Sequence, residues 1–311
     1  MAPSPPRPAD WLRLLGLTAC WGTAFLLNEL ALKAYSPLVI VSARIVFGML
    51  VLFTYLRFSG VSLPRAAREW IPMAVIAVFG VIVPFFLTVW AQTHLSSAIT
   101  AVLMAVMPLM VMSLAHVFVP GERLSIAKVL GFGTGFLGVL LVIGPDSPAD
   151  DNRFSLIASF AVLAAALSYS GTSVYARLSS NQAPAAMATG MLIIAAAIAV
   201  PAALFEGPAL PVQLDPVALT AVALLGLFAT GLASVLYFQV VSGPGPTFLS
   251  LVNYLVPGWG VVLGVIVLEE RLSSSAFAGL GIILAGIALS EFGHRRLVRR
   301  DAGAKAVPAD C

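Results

Sequence analysis

Pro120-Gly-Glu-Arg-Leu-Ser125 follows one long apolar segment, and Leu268-Glu-Glu-Arg-Leu-Ser273 follows another. The shared tetrapeptides, Glu122 to Ser125 and Glu270 to Ser273, are offset by 148 residues. Taken alone, such a tetrapeptide is an ordinary helix-start signal, with serine at the cap and charges in the turn. Two further pairs carry it past that reading. Pro108 stands fourteen residues before Glu122 and Pro257 thirteen before Glu270. Gly22-Thr23 is echoed at an offset of 149 by Gly171-Thr172. A glycine-rich apolar segment also follows each tetrapeptide. Similar offsets at separate places indicate a duplication.

Composition says which solvent the repeated unit lives in. Of 311 residues, 60% are hydrophobic and 10% charged, against about 25% charged in a soluble domain. The apolar residues come in blocks near the roughly 20 that cross a bilayer as a helix. The first set of expected spans is Trp11–Leu32, Pro37–Leu56, Trp70–Trp90, Ser96–Val119 and Ala127–Ile143. The second is Phe154–Arg177, Ala183–Phe205, Pro216–Val241, Thr247–Leu268 and Ser275–Phe292. Continuous apolarity favours helices over barrel strands, which alternate over about ten residues. Residues 1–10, four of them proline, lack the pattern of a cleaved signal and form an N-terminal tail. The first repeat covers 11–144, a linker 145–153, the second repeat 154–292 and a basic tail 293–311. Five is odd, so the second copy enters the membrane the other way up. The expected fold is an all-α integral membrane protein, ten transmembrane helices in two inverted five-helix repeats around a central cavity.

Charge orients these spans. With the N-terminus inside, the cytoplasm receives Arg7, Arg13, Arg57, Arg65, Arg68, Arg123, Lys128, Arg177, Arg295, Arg296, Arg299, Arg300 and Lys305. The outside receives Lys33, Arg153 and Arg271. Such a bias follows the positive-inside rule and places both termini in the cytoplasm. The basic run from His294 to Arg300 then sits against anionic lipid rather than nucleic acid. Cys20 and Cys311 make neither a disulfide framework nor a metal site.

Trp21-Gly22-Thr23-Ala24-Phe25, Ser36-Pro37 followed by Arg44, and the two Pro–ERLS segments resemble the EamA-type branch of the drug/metabolite transporter superfamily. The resemblance covers essentially the whole chain and lies in the order and spacing of motifs that are individually common. It implies a ten-helix protein of the bacterial inner membrane that exports amino acids or other metabolites. The YddG-type amino-acid exporters belong to the same superfamily. The second half departs from the pattern, with Ser170 in place of Trp21 and Met191 near where Arg44 would recur.

Polar residues inside spans mark candidate sites, because hydrocarbon penalises them unless they face partners or a cavity. Helical spacing aligns Trp21, Phe25 and Asn28 in span one, beside Glu29, and Ser168, Thr172 and Tyr175 in span six, beside Tyr169. It aligns Thr230, Ser234 and Tyr237 in span eight, Asn253 and Pro257 in span nine beside Tyr254, and Phe79, Phe86 and Trp90 in span three. The committed cavity lining is Trp21, Phe25, Asn28, Arg44, Phe86, Trp90, Tyr169, Thr172, Tyr237, Asn253 and Tyr254. Small and hydroxyl residues also serve helix packing, and tryptophans also mark interfaces. Arg44 has two readings, partner of a substrate carboxylate or structural pair with Glu29. Pro84, Pro108, Pro201 and Pro257 each remove a backbone hydrogen bond and are hinge candidates. The glycines of spans five and ten are packing faces, with a homodimer interface as one use.

Absent motifs narrow the mechanism. The chain has no GxxxxGK[ST] nucleotide loop, no His/Asp/Glu/Cys cluster at metal-ligand spacing and no nucleophile elbow. No cofactor and no enzyme activity are expected. The expected function is secondary export of neutral or aromatic amino acids by alternating access, facilitated or weakly proton-coupled. Multidrug or nucleoside/purine efflux on the same fold is the alternative, with an intramembrane enzyme or a channel behind it.

Overall fold

The computed structural model describes residues 6–120, 125–143, 152–179, 182–206, 215–244 and 246–305. Glu122, Arg123, Leu124 and positions 145–151 of the expected linker lie outside the described residues, as do the chain ends. The described chain is helical, without a strand. Eight helices are long and apolar enough to cross a membrane. We label them α1 (Pro8–Leu32), α2 (Pro37–Ser59), α3 (Ala67–Ala91), α4 (Ser97–Phe118), α5 (Ile126–Ile143), α6 (Asn152–Ser179), α7 (Pro184–Phe205) and α8 (Pro216–Ser242). Two shorter apolar stretches follow, α9 (Val252–Val267) and the first part of α10 (Ser274–Lys305).

The last two expected spans need adjustment. Thr247–Leu268 was expected as one helix, but a turn at Pro246–Leu249 is separated from α9 by Ser250 and Leu251. The 16 residues of α9 rise about 24 Å, short of a hydrocarbon core of about 30 Å. Conversely, α10 runs on past Phe292 to Lys305, through what was expected to be a tail.

Helix starts follow local chemistry. Ser36 caps α2 by accepting from the Val39 amide at 3.4 Å, with Pro37 in the first turn, where a missing N–H costs nothing. Asp215 caps α8 through the amides of Val217 and Ala218, again ahead of a proline. Gly60 ends α2 with φ of 70°, a left-handed conformation that favours glycine.

Contacts at the helix ends show an up-and-down bundle. At one end, Asn28 near the close of α1 bonds Gln92 after α3. Ser36 before α2 donates to Glu206 after α7 at 2.6 Å, and His94 stacks on Phe154 at the start of α6. At the other end, Trp11 near the start of α1 meets Phe248 just before α9, edge to face at 4.8 Å. Thus α1 and α6 begin at opposite ends. In the body, α1 lies against α8 and α9, α6 against α3 and α4, α2 against α7 and α8, and α5 against α10.

Backbone contact is closest between α5 and α10. A Cβ at Gly131 would stand 2.4 Å from the Gly286 carbonyl oxygen, and one at Gly138 would stand 2.7 Å from that of Gly279. These glycines are used inside the protomer, so they do not form the homodimer face offered as one use of them. The outward positions on the same helices, Gly133 and Gly281, have open space around them.

Three spans are irregular. Ala77–Ile82 in α3 and Leu225–Leu232 in α8 are π-helical, their starts 148 residues apart. In α4, Ala105 and Val106 interrupt the helix just before Pro108. Pro84 follows the α3 π segment directly, as expected where a proline leaves a carbonyl without its donor. Pro201 and Pro257 lie inside continuous helices.

Candidate functional site

Arg44 anchors the site. It lies two turns into α2, and the next turn brings Gly48 against α8. A Cβ at Gly48 would come within 2.6 Å of Thr230 Cγ2, and one at Gly226 within 2.8 Å of the Arg44 carbonyl oxygen. This close crossing lets Arg44 Nε donate to Thr230 Oγ1 at 2.9 Å. Thr230 donates its own hydroxyl proton to the Leu225 carbonyl five residues back, at 3.1 Å. That reach is the register of the π segment, which therefore aims the hydroxyl oxygen at Arg44.

The guanidinium is buried, with Arg44 only 7% exposed. Its Cζ stands 3.8 Å from the Phe85 ring centroid, and Phe85 meets Tyr169 at 6.4 Å. Among the described residues, the ion pair is Arg13 with Asp10 at the start of α1, and no carboxylate pairs with Arg44. The expected alternative of an Arg44–Glu29 pair is therefore corrected. Arg44 points inward to α8 and α3, while Glu29 lies near Glu270 and Lys33. An arginine at the centre of a helix costs about 2.5–3.5 kcal/mol to insert. A cation–π contact contributes about 0.5–2 kcal/mol and an interhelical hydrogen bond about 0.6. These offset much of that cost but supply no counter-charge.

The other expected lining residues fall into separate groups. Trp21 and Tyr237 meet at 5.9 Å, between α1 and α8. Beside them Trp259 of α9 donates to Thr23 at 3.1 Å and covers Gly22. Near the end of α1, Asn28 donates to Gln92 Oε1 at 2.9 Å, and Gln92 donates to the Phe25 carbonyl at 2.8 Å. Thr172 returns its hydroxyl to Ser168 O and packs on Gly80 of the α3 π segment. Tyr254 packs with Met104 and Met107 of α4, and Asn253 is half-buried.

The stripe Phe79–Phe86–Trp90 does not hold. Phe79 lies inside the π segment, whose wider turn breaks a spacing of seven. Phe85, not Phe86, faces Arg44, and Phe86 is 37% exposed. Trp90 instead meets His94 at 5.2 Å. An open apolar groove of about 370 Å³ lies between α1 and α8, lined by Leu27, Leu30, Pro216, Val217, Thr220, Ala221 and Leu224. It contains none of the expected residues.

Sequence reasoning missed Phe85, Gln92, Trp259 and Glu270 as partners. Glu270 accepts from the amides of Ser97 at 2.8 Å and Ala98 at 2.9 Å, and so caps α4 from the turn before α10. Its ERLS position marked a repeat, and nothing local named its partner 173 residues away.

The profile of the EamA-like transporter family matches residues 11–144 and again residues 156–292. The chain belongs to the EamA-like transporter family. It is a membrane transporter and not an enzyme. The uncharacterized transporter YoaV of Bacillus subtilis is 22% identical over 92% of this chain and 97% of its own length. A probable amino-acid metabolite efflux pump of Salmonella typhimurium is 24% identical over 95% of this chain and 98% of its own. A solved crystal structure shares the fold with a TM-score of 0.68 at 23% identity, covering 94% of this chain and 99% of that one.

Proposed function

We propose that this EamA-family transporter exports small carboxylate-bearing metabolites, neutral or aromatic amino acids first, by alternating access. One observation carries the reading. Arg44 is buried, faces an aromatic ring and has no acidic partner among the described residues. A substrate carboxylate supplies the missing counter-charge, and Phe85 with Tyr169 offers an aromatic wall to its side chain. The efflux pump named for amino-acid metabolites is a distant relative and agrees with this class.

The moving parts are two inverted five-helix repeats, with α9 and α10 completing the ten helices. Support comes from the two family matches, one per half, and from α1 and α6 starting at opposite ends. It comes also from the paired π segments and from contacts that exchange when each helix is replaced by its counterpart five later. The distribution of lysine and arginine favours cytoplasmic termini in a bacterial inner membrane.

Exchange of labelled phenylalanine and leucine in liposomes tests the proposal. Arg44→Leu is expected to lower exchange at least about tenfold, 1.4 kcal/mol, while the unfolding temperature holds or rises. Undiminished exchange in Arg44→Leu overturns the carboxylate role. Exchange of nucleosides or lipophilic cations but no amino acid moves the substrate to the alternative class.

A further inference from the structure

The end of the bundle carrying Lys33, assigned above to the outside, gathers oxygen atoms that the transport site does not use. Glu270 lies at its centre, both carboxylate oxygens on the α4 amides. Gly264 of α9 is where two of the oxygens converge. A Cβ there would meet Glu270 Oε2 at 2.6 Å and Ser97 Oγ at 3.1 Å. Ser97 is fully buried and Asn28 is 1% exposed. Yet Ser97 Oγ, Asn28 Oδ1 and Glu29 Oε2 have no hydrogen-bond partner among the described residues. Buried polar atoms are nearly always satisfied, so a cluster of orphans calls for a ligand. Every orphan is an oxygen able to accept.

Two carboxylates facing each other in a poorly hydrated site do not both ionise readily. Glu270 is already committed as an anion, because it accepts from two backbone amides at a helix N-terminus. Glu29 is the member left without a partner. The groups facing it are Glu270, from the turn before α10, and Lys33, one turn on in α1. Protonation turns the Glu29 carboxyl into a donor in a pocket of unpaired acceptors.

We propose that Glu29, Glu270 and Ser97 form a proton-binding site, in which a proton on Glu29 allows Glu270 to hold the N-terminus of α4. The proton comes from water at that end and returns to it; only the O–H bond forms and breaks. With Glu29 neutral, the contact closes α4 against the α9–α10 turn. As pH rises and Glu29 ionises, two like charges stand side by side, and the hold of Glu270 on Ser97 and Ala98 weakens. As a coupling device this rests on the transport reading above, whereas proton binding itself does not.

Infrared spectroscopy of the full-length protein in liposomes tests it through the C=O band of a protonated carboxylic acid. The wild type is expected to show a band near neutral pH that disappears on alkalinisation and is unchanged by sodium. Glu29→Gln is expected to abolish the titrating band, and Glu69→Gln to leave it. Glu270→Gln, which removes the repelling charge, is expected to shift the titration to lower pH by about one unit. Should Glu29→Gln not fold, the Glu270→Gln shift decides alone. No titrating band, a band surviving in Glu29→Gln, an unmoved titration in Glu270→Gln, or displacement by sodium at constant pH overturns the proposal. Amino-acid exchange that persists alongside such a result leaves the transport reading standing.

Discussion

Two helix crossings in this transporter use the same device for different ends. Where α5 meets α10, glycines bring backbone against backbone, with a Gly131 Cβ position 2.4 Å from Gly286 O. Where α2 meets α8, Gly48 and Gly226 do the same. The first seam is small and apolar, apart from the Ser290 hydroxyl beside Gly131. Membrane helices have little hydrophobic drive to associate, so close packing holds them together. The second seam seats a charge. Its closeness puts Thr230 within 2.9 Å of Arg44 Nε, and the π segment frees the hydroxyl oxygen to accept. Glycine permits approach in both, and the side chains alongside decide what the approach does.

Substitutions at these seams sharpen the contrast. Gly131→Ala forces a methyl onto a carbonyl and a serine, and is expected to lower stability by about 1–3 kcal/mol. Thermal unfolding in detergent measures it, and an unchanged midpoint breaks the account of the α5–α10 seam. Gly48→Ala presses Thr230 away from Arg44. Its main effect is expected in transport, a fall of roughly tenfold, 1.4 kcal/mol, with a smaller loss of stability. Equal losses in both would make the two seams alike. Thr230→Val keeps the shape and removes the acceptor, and is expected to cost about 0.6 kcal/mol in the unfolding free energy, with weakened amino-acid exchange. Gly133→Ala, on the open face of α5, is expected to stay within about 0.5 kcal/mol of wild type. A larger loss there would reveal a partner on that face.

Much of this was readable from residues alone. Eight expected spans agree with helices in the structure to within a few residues, because a stretch of about 20 apolar residues has one stable solution in lipid. Ser36-Pro37 and Asp215-Pro216 announced their helix starts, since caps act within one turn. Arg44 stood out as a lone charge in an apolar span. Its neighbours did not stand out. Phe85 was passed over for Phe86 because the stripe assumed 3.6 residues per turn, and the π segment of α3 changes that count. Nothing in Leu225–Leu232 announced a π segment, as α8 has no proline within it.

Helix existence, chain duplication and the bias of positive charge are local or countable, so composition and spacing settle them before folding is considered. Partnership is neither. Arg44 meets a threonine 186 residues away, Asn28 a glutamine 64 away, and Glu270 two amides more than 170 away. Each depends on how far two helices approach and how they are rotated. That rotation is set by glycine contacts and π segments whose effect appears only once the whole bundle is packed.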